Sequence, residues 1–341
     1  MYPESSSEKI FKYISERFYN GNKEYVDDLC GILNLQKSTV YKKLRGESPL
    51  HIDDACLLAE HFKLSLDEIM GLSKGRIYFD FPAMHQKIKN SQDYLEPIVL
   101  DLERLLLVKP KIYYATKELP LFYYFSSPAL AAFKFHVFYN IIWREDKNAW
   151  IKFSLNQYIL DQQFINQTRK ISELYMNFDS NEIWNINILD NTLNQIRYFL
   201  ESGLYEEAEL SLSLCDEMSK LLEIISKTLE TGNKSHWKRN KEGGGFINIF
   251  NNEIAHTNNV IYIKSESIRA VYSTYDNPNF MRSLNTQLCD YTESWFHRLE
   301  KHSSALTLGN VKDRKNFINY LQVRIEKTKL WVETFIKSNA S

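Results

Sequence analysis

Cysteine is scarce in this sequence, and its placement excludes two kinds of architecture. Four cysteines occur in 341 residues, and no two of them form a CxxC pair; they are Cys30, Cys56, Cys215 and Cys289. Such spacing predicts neither a zinc ribbon nor a disulfide framework. Dispersed, unpaired cysteines are typical of a reducing compartment, so we expect a cytoplasmic protein.

Long apolar runs are also missing. No stretch of about 18 consecutive apolar residues occurs, which is the length needed to cross a bilayer. The first residues, MYPESSSEKIFKYISERF, contain no basic leader followed by an apolar segment. We therefore expect neither secretion nor a membrane partner.

The sequence lacks the usual motifs of nucleotide, metal and catalytic sites. The glycines at 243–245 have neither GxGxxG nor GxxxxGK[ST] spacing. HExxH is absent, and the closest histidines, His297 and His302, are five residues apart and do not share a helical face. No serine, cysteine or carboxylate is marked as activated. We predict no cofactor, no metal and no enzymatic activity.

What is present is an ordinary globular composition with one local concentration of positive charge. The chain is 44% apolar and 25% charged, with a net charge of -1, and its length favours two or three domains. Residues 1–75 contain ten Lys or Arg against twelve Asp or Glu. Within this acidic segment, four cations and no acid occupy positions 37–45: Lys37, Lys42, Lys43 and Arg45.

Hydrophobic periodicity predicts five short helices in the first 70 residues, at about 6–20, 26–33, 37–45, 52–62 and 65–69. Capping boxes are expected at the SSSE stretch and at Ser65 with Glu68. Asn34 tolerates the left-handed backbone that a tight turn requires. Gly46 and Pro49 end the third helix. These elements predict a compact five-helix bundle.

The order and spacing of these residues resemble the XRE, or Cro/C1-type, helix-turn-helix domain. The resemblance covers residues 6–72, with a linker at 73–82, and depends on the following segments: Asp28-Leu29-Cys30, Leu33-Asn34-Leu35, Lys37-Ser38-Thr39-Val40, Arg45-Gly46 and the stretch from Ala59 to Ile69. In that family the third helix enters the major groove of double-stranded DNA, and two copies bind as a two-fold pair. The resemblance implies a homodimeric regulator of the repressor type.

The resemblance also implies which side chains contact DNA. Base-facing roles fall on Gln36, Lys37, Ser38, Thr39, Tyr41 and Lys42, with Lys43 and Arg45 nearer the phosphate backbone. The residue types suit these roles, because lysine donates to guanine, glutamine pairs with adenine and the threonine methyl contacts thymine. The alternative is that 37–45 is a solvated helix face, the usual meaning of a run of charges.

The remainder, residues 83–341, is predicted to be mainly helical. Helices are expected at 83–108 with a break at Pro97, and at about 128–145, 150–175, 181–201, 205–230, 277–303 and 311–338. Residues 110–127 are interpreted as an aromatic loop or short strand pair. Alternating residues at 246–275 predict a small antiparallel hairpin or sheet. The fold class is therefore mainly α, with a division of the remainder into 83–230 and 231–341 as one option.

Three stretches of the remainder have functional interpretations beside structural ones. Residues 198–208, YFLESGLYEEA, resemble one turn of a tetratricopeptide repeat, although an ordinary helical hairpin fits equally. The segment KSHWKRNKEGGG at 234–245 is either a second nucleic-acid contact or a solvated loop. An aromatic group either lines an effector pocket or packs in the core: Tyr113, Tyr114, Phe122, Tyr123, Tyr124, Phe125, Phe133, Phe135, Phe138 and Tyr139.

The sequence as a whole predicts a sequence-specific DNA-binding transcription regulator. Residues 6–72 would bind the operator, and residues 83–341 would sense a peptide or small-molecule effector, dimerise, or both. The alternative is a protein- or peptide-interaction module with a helical-repeat-like binding surface.

Overall fold

A computed structural model of the chain describes residues 5–19, 25–62, 64–72, 75–84, 87–144, 150–238, 243–253 and 259–339. The chain divides into two compact units, Met1–Tyr78 and Phe79–Ser341. No helix among the described residues combines the length and the apolar character needed to cross a membrane.

The described part of the first unit is helical, which confirms the prediction for the N-terminus. Its helices are α1 Ser6–Phe18, α2 Tyr25–Leu33, α3 Lys37–Leu44, α4 Ile52–Phe62 and α5 Leu66–Ile69. Ser5 caps α1 through the predicted reciprocal box with Glu8, and the Ser65 hydroxyl accepts from the Glu68 amide at the start of α5. One apolar core holds the bundle together: Ile10, Phe11, Ile14, Val26, Leu29, Leu33, Val40, Ala55 and Leu58.

The second unit contains a mixed sheet, and this corrects the mainly α fold class. The seven strands found in the described residues are β1 Lys111–Thr116, β2 Ser180–Trp184, β3 Ile247–Asn251, β4 Val260–Lys264, β5 Arg269–Asp276, β6 Asn279–Ser283 and β7 Ser304–Ala305. Their order across the sheet is β6-β5-β4-β1-β2-β3-β7. Strands β1, β2 and β3 are parallel to one another, and the other pairings are antiparallel. The predicted hairpin at 246–275 is therefore one part of a much larger sheet.

Helices cover this sheet. They are α6 Ser91–Val108, α7 Leu121–Tyr124, α8 Pro128–Phe138, α9 Asn156–Ile159, α10 Gln162–Tyr175, α11 Asp190–Glu201, α12 Leu210–Thr231, α13 Thr286–Lys301 and α14 Val311–Asn339. Short 3₁₀ turns occupy Pro82–Met84 and Lys234–Trp237, and a π-helical turn at Tyr139–Trp143 extends α8. Pro97 lies inside α6 and does not break it, which corrects the expected interruption.

The sequence does not predict β2, and it predicts β1 only as part of an aromatic loop or short strand pair, because both strands are buried on both faces. Every residue of β2 is buried, and so is every residue of β1 after Lys111. Parallel strands covered by helices lose the alternation of polar and apolar residues that identifies a half-buried strand. For the same reason the sequence predicts a helix at 181–201, whereas the helix there begins only at Asp190 and is preceded by β2.

A buried carboxylate anchors β2 to the surrounding helices. Glu182 is fully buried and accepts hydrogen bonds from the hydroxyls of Tyr123 at 2.8 Å and Tyr175 at 2.9 Å, and from Trp184 Nε1 at 3.0 Å. Burial and the adjacent carboxylate raise the pKa of both phenols, which therefore remain donors. Because a buried charge is tolerated only when it is well bonded, this cluster fixes the position of β2.

Candidate functional site

The backbone around α3 presents this helix on the surface of the first unit. Asn34 adopts the predicted left-handed conformation, with φ of 51°, and the Leu35 amide donates to the Cys30 carbonyl at 3.1 Å, which closes the turn between α2 and α3. Val40 is fully buried and Leu44 packs against the same core. These contacts leave one side of α3 facing outward.

Most of the proposed DNA-contacting side chains lie on that outward side. Thr39 is half-buried, and the exposed residues are Gln36, Lys37, Ser38, Tyr41, Lys42 and Arg45. Gln36 occupies the N-cap of α3 without a side-chain capping bond, so its amide group remains available. These side chains lie together at the N-cap, on the first two turns and at the C-terminal end of α3.

Three of the four clustered cations have carboxylate partners. Lys37 Nζ lies 2.6 Å from Asp27 Oδ1, and Arg45 Nε lies 3.2 Å from Glu47 Oε1, and all four side chains are about half-exposed or more. The hydrogen bond that Lys37 donates to Asp27 raises the pKa of Lys37, so the ammonium stays charged. Such exposed pairs contribute little to stability, and phosphate can compete for their cations. Lys42 makes no ion pair within the described part of the chain.

Lys43 does not belong to this exposed surface. Its side chain is 4% exposed, and its Nζ donates to the Pro49 carbonyl at 2.8 Å and pairs with Asp54 at 3.2 Å. These bonds tie α3 to the loop before α4. This placement does not fit a phosphate contact, and we leave Lys43 out of the interface.

The comparisons with known proteins agree with the geometry of the first unit. A surface helix that follows a tight turn and carries cations and amides is the arrangement of a helix-turn-helix-type DNA-binding domain. Residues 9–80 match the model of the BetR domain, which is of that type. No curated protein and no solved structure matches the chain. The first unit is therefore a DNA-binding domain of the helix-turn-helix type, and assignment to the XRE type stays a prediction.

The second unit contains a cavity of about 1100 Å³, and the predicted aromatic group is divided between it and the core. Tyr114, Phe122, Tyr124, Phe125, Phe138 and Tyr139 line the cavity, whereas Tyr113, Tyr123, Phe133 and Phe135 are buried in the core. Burial raises the pKa of Tyr114 and Tyr124, so their hydroxyls are neutral. Six members of the aromatic group therefore line a cavity and four pack in the core, and an effector for this cavity stays a prediction.

Sequence reasoning missed the charged residues of this cavity. Lys134, on helix α8, is 1% exposed and is paired with Glu118. A single lysine within PALAAFKFHVF was the only signal, and the partner on the loop after β1 could not be inferred from its position in the chain. Among the described residues, no three histidine, cysteine, aspartate or glutamate side chains are grouped to hold a metal ion.

The described part of the basic segment 234–245 forms neither a nucleic-acid contact surface nor a solvated loop. Lys234 is fully buried and donates to the Phe178 carbonyl at 3.0 Å, and Trp237 is 8% exposed. Burial lowers the pKa of Lys234 to about 8. Arg239 and Lys241 lie outside the described residues. The tetratricopeptide-like stretch at 198–208 connects α11 to α12, as a helical hairpin would.

Proposed function

We propose that this protein is a non-catalytic, sequence-specific DNA-binding transcription regulator in which α3 contacts base edges in the major groove. The exposed row of Gln36, Lys37, Ser38, Tyr41 and Lys42 on one short helix is the observation that carries the proposal. Lysine and glutamine donate to purine edges, and several such contacts together produce an operator preference. Arg45 serves as a phosphate contact at the end of the helix.

We further propose that the regulator binds as a homodimer and that its second unit senses a small effector. A single short recognition helix contacts only a few base pairs, so paired half-sites about one helical turn apart increase affinity and specificity. The cavity supports the effector role, since Phe81, Pro82 and Met84 belong to its wall and follow directly in the chain after the DNA-binding unit. An occupant of the cavity would contact this connecting segment.

The proposal is tested by enriching a random pool of DNA duplexes with the full-length protein and measuring affinity for the selected duplex across a range of salt concentrations. We expect a two-fold symmetric sequence and a logarithmic affinity that falls steeply with the logarithm of salt concentration. A flat salt response with no enriched sequence would overturn the proposal and favour the alternative of a protein-interaction module.

Removing one positive charge from α3 is compared with removing one from the second unit. Lys42→Ala should weaken binding and reduce the salt slope by about one, because one phosphate-neutralising or base-contacting cation is lost. Lys312→Ala removes an exposed lysine from the second unit and should change neither quantity. Equal effects of the two substitutions would exclude α3 as the contact surface.

A further inference from the structure

The cavity of the second unit lies between helices and one face of the sheet. Its apolar wall includes the stacked rings of Phe122 and Tyr175, whose centroids are 4.1 Å apart, and the contacting rings of Tyr94 and Trp143 at 4.7 Å. The volume of about 1100 Å³ is at the upper end of that of sites for drug-sized ligands. The rings therefore favour a flat or aromatic apolar body.

The polar side of the cavity is at one edge of the sheet. Strand β1 ends beside Glu118, β5 ends at Asp276, and β4 begins next to Asn259. Because β4 runs antiparallel to both β1 and β5, these three positions meet at the same edge. Residues far apart in the chain are thus collected where ligands of open sheets commonly bind.

Hydrogen bonds connect the side chains at this edge of the sheet. Asn277 Nδ2 donates to Glu118 Oε2 at 2.8 Å, and the Thr116 hydroxyl donates to Asn259 Oδ1 at 2.9 Å. Lys134 pairs with the other oxygen of Glu118 and bonds to Gln195 at 3.0 Å. Glu118 and Asp276 place two carboxylates at this edge, against the single ammonium of Lys134. The net charge of the edge is therefore negative.

Two buried polar atoms in the cavity wall have no hydrogen-bond partner in the described structure. Asp276 Oδ1 is an acceptor, and Trp143 Nε1 is a donor. A buried polar group without a partner costs about 1–3 kcal/mol, so a molecule that donates a hydrogen bond to Asp276 Oδ1 would be bound in part by removing this cost. Charged lining residues away from the sheet edge are Lys87, Lys89, Asp93, Asp101 and Arg144, while Arg282 is bonded to Asp80 at 3.0 Å.

We propose that the cavity binds a small organic amine with an aromatic, apolar body, whose ammonium group donates to Asp276 at the sheet edge. The aromatic wall contacts the body and, near the head group, interacts favourably with a cation. The inference deepens the proposed effector function and depends on it for its regulatory meaning. Binding itself is independent of DNA.

The test is calorimetric titration of the full-length protein, without DNA, with three apolar amines of increasing size: benzylamine, tryptamine and 4-phenylbutylamine. Each is compared with its carboxylate and alcohol counterparts on the same body. We expect at least one amine to bind saturably, about tenfold or more tighter than its carboxylate and alcohol, as one charge-assisted hydrogen bond provides. No saturable amine binding, or a carboxylate that binds as tightly, would overturn the proposal.

Variants locate the site. Asp276→Asn should remove the preference for the amine over the alcohol while leaving the alcohol's affinity unchanged. Leu105→Trp should weaken the binding of every probe by narrowing the cavity, with circular dichroism reporting the fold. Glu207→Gln, an exposed carboxylate elsewhere, is the matched control and should change nothing. An amine preference that persists in Asp276→Asn contradicts the assignment. If the protein binds an amine but not DNA, only the proposed regulator function is rejected. If it binds DNA but none of the amines, only the inference about the cavity is rejected.

Discussion

Two neighbouring lysines of α3 illustrate how the surroundings of a residue decide its role. Lys42 is exposed and makes no ion pair with a described residue, whereas Lys43 is buried between Asp54 and the Pro49 carbonyl. In the sequence both belong to one basic cluster, and the resemblance implies a DNA contact for each of them. The difference follows from the helical period, which turns one side chain toward the loop before α4 and the other toward solvent.

Removal of the Lys43 ammonium should destabilise the first unit without removing a DNA contact. Lys43→Ala leaves the Pro49 carbonyl and the partly buried Asp54 without their partner, and we expect a loss of about 2 kcal/mol in the free energy of unfolding. Urea denaturation measures this loss. Lys42→Ala, its exposed neighbour, is the control and should leave the unfolding midpoint unchanged; equal midpoints for both variants would contradict the prediction.

At the scale of elements, the first unit could be predicted from sequence because its signals are local. The capping box of Ser5 with Glu8, the turn residue Asn34 and the helix-ending Gly46 each determine the backbone within a few residues, and all three signals behave as expected. Strands β4 and β5 also carried their own alternation. Strands β1 and β2 did not, because both of their faces are covered by helices that are distant in the chain.

The candidate sites differ in the same way in how far they could be predicted from the sequence. The residues of α3 are consecutive, so a helical pattern was sufficient to group them. The cavity edge combines Glu118, Asn259 and Asp276, which meet only through the pairing of β1, β4 and β5. Pairing between distant strands is not encoded in local periodicity, so this grouping required the fold.

The glycine run at 243–245 acquires a structural role in the element preceding β3. A Cβ atom on Gly245 would overlap the Phe178 carbonyl, and the Gly245 amide donates to the Met176 carbonyl at 2.8 Å. The chain passes so close to the end of α10 that no side chain fits. We expect Gly245→Ala to lower the free energy of unfolding by about 2 kcal/mol or more, as overpacking does.

Denaturation with tryptophan fluorescence as the probe measures this effect. Gly309→Ala is the control, because a Cβ atom there meets no heavy atom within 4 Å. A midpoint for Gly245→Ala equal to that of Gly309→Ala would indicate that the backbone at 245 moves without cost.

At the scale of the whole molecule, the protein has separate hydrophobic cores. The buried core residues of the first unit lie between Ile10 and Leu58, and those of the second unit begin at Leu95. Units with separate cores unfold as separate cooperative transitions when their stabilities differ. A small domain buries a smaller fraction of its surface than a large one, so the first unit should unfold at the lower denaturant concentration.

The distribution of tryptophan allows the two transitions to be assigned. All 6 tryptophans lie beyond residue 142, so their fluorescence reports on the second unit, whereas circular dichroism at 222 nm reports on helices of both. We expect dichroism to record two steps and fluorescence only the later one. Lys43→Ala should move only the early step and Gly245→Ala only the late one, because each residue lies within a different unit. A single transition at the same midpoint by both probes would contradict the prediction and imply that the two units unfold together.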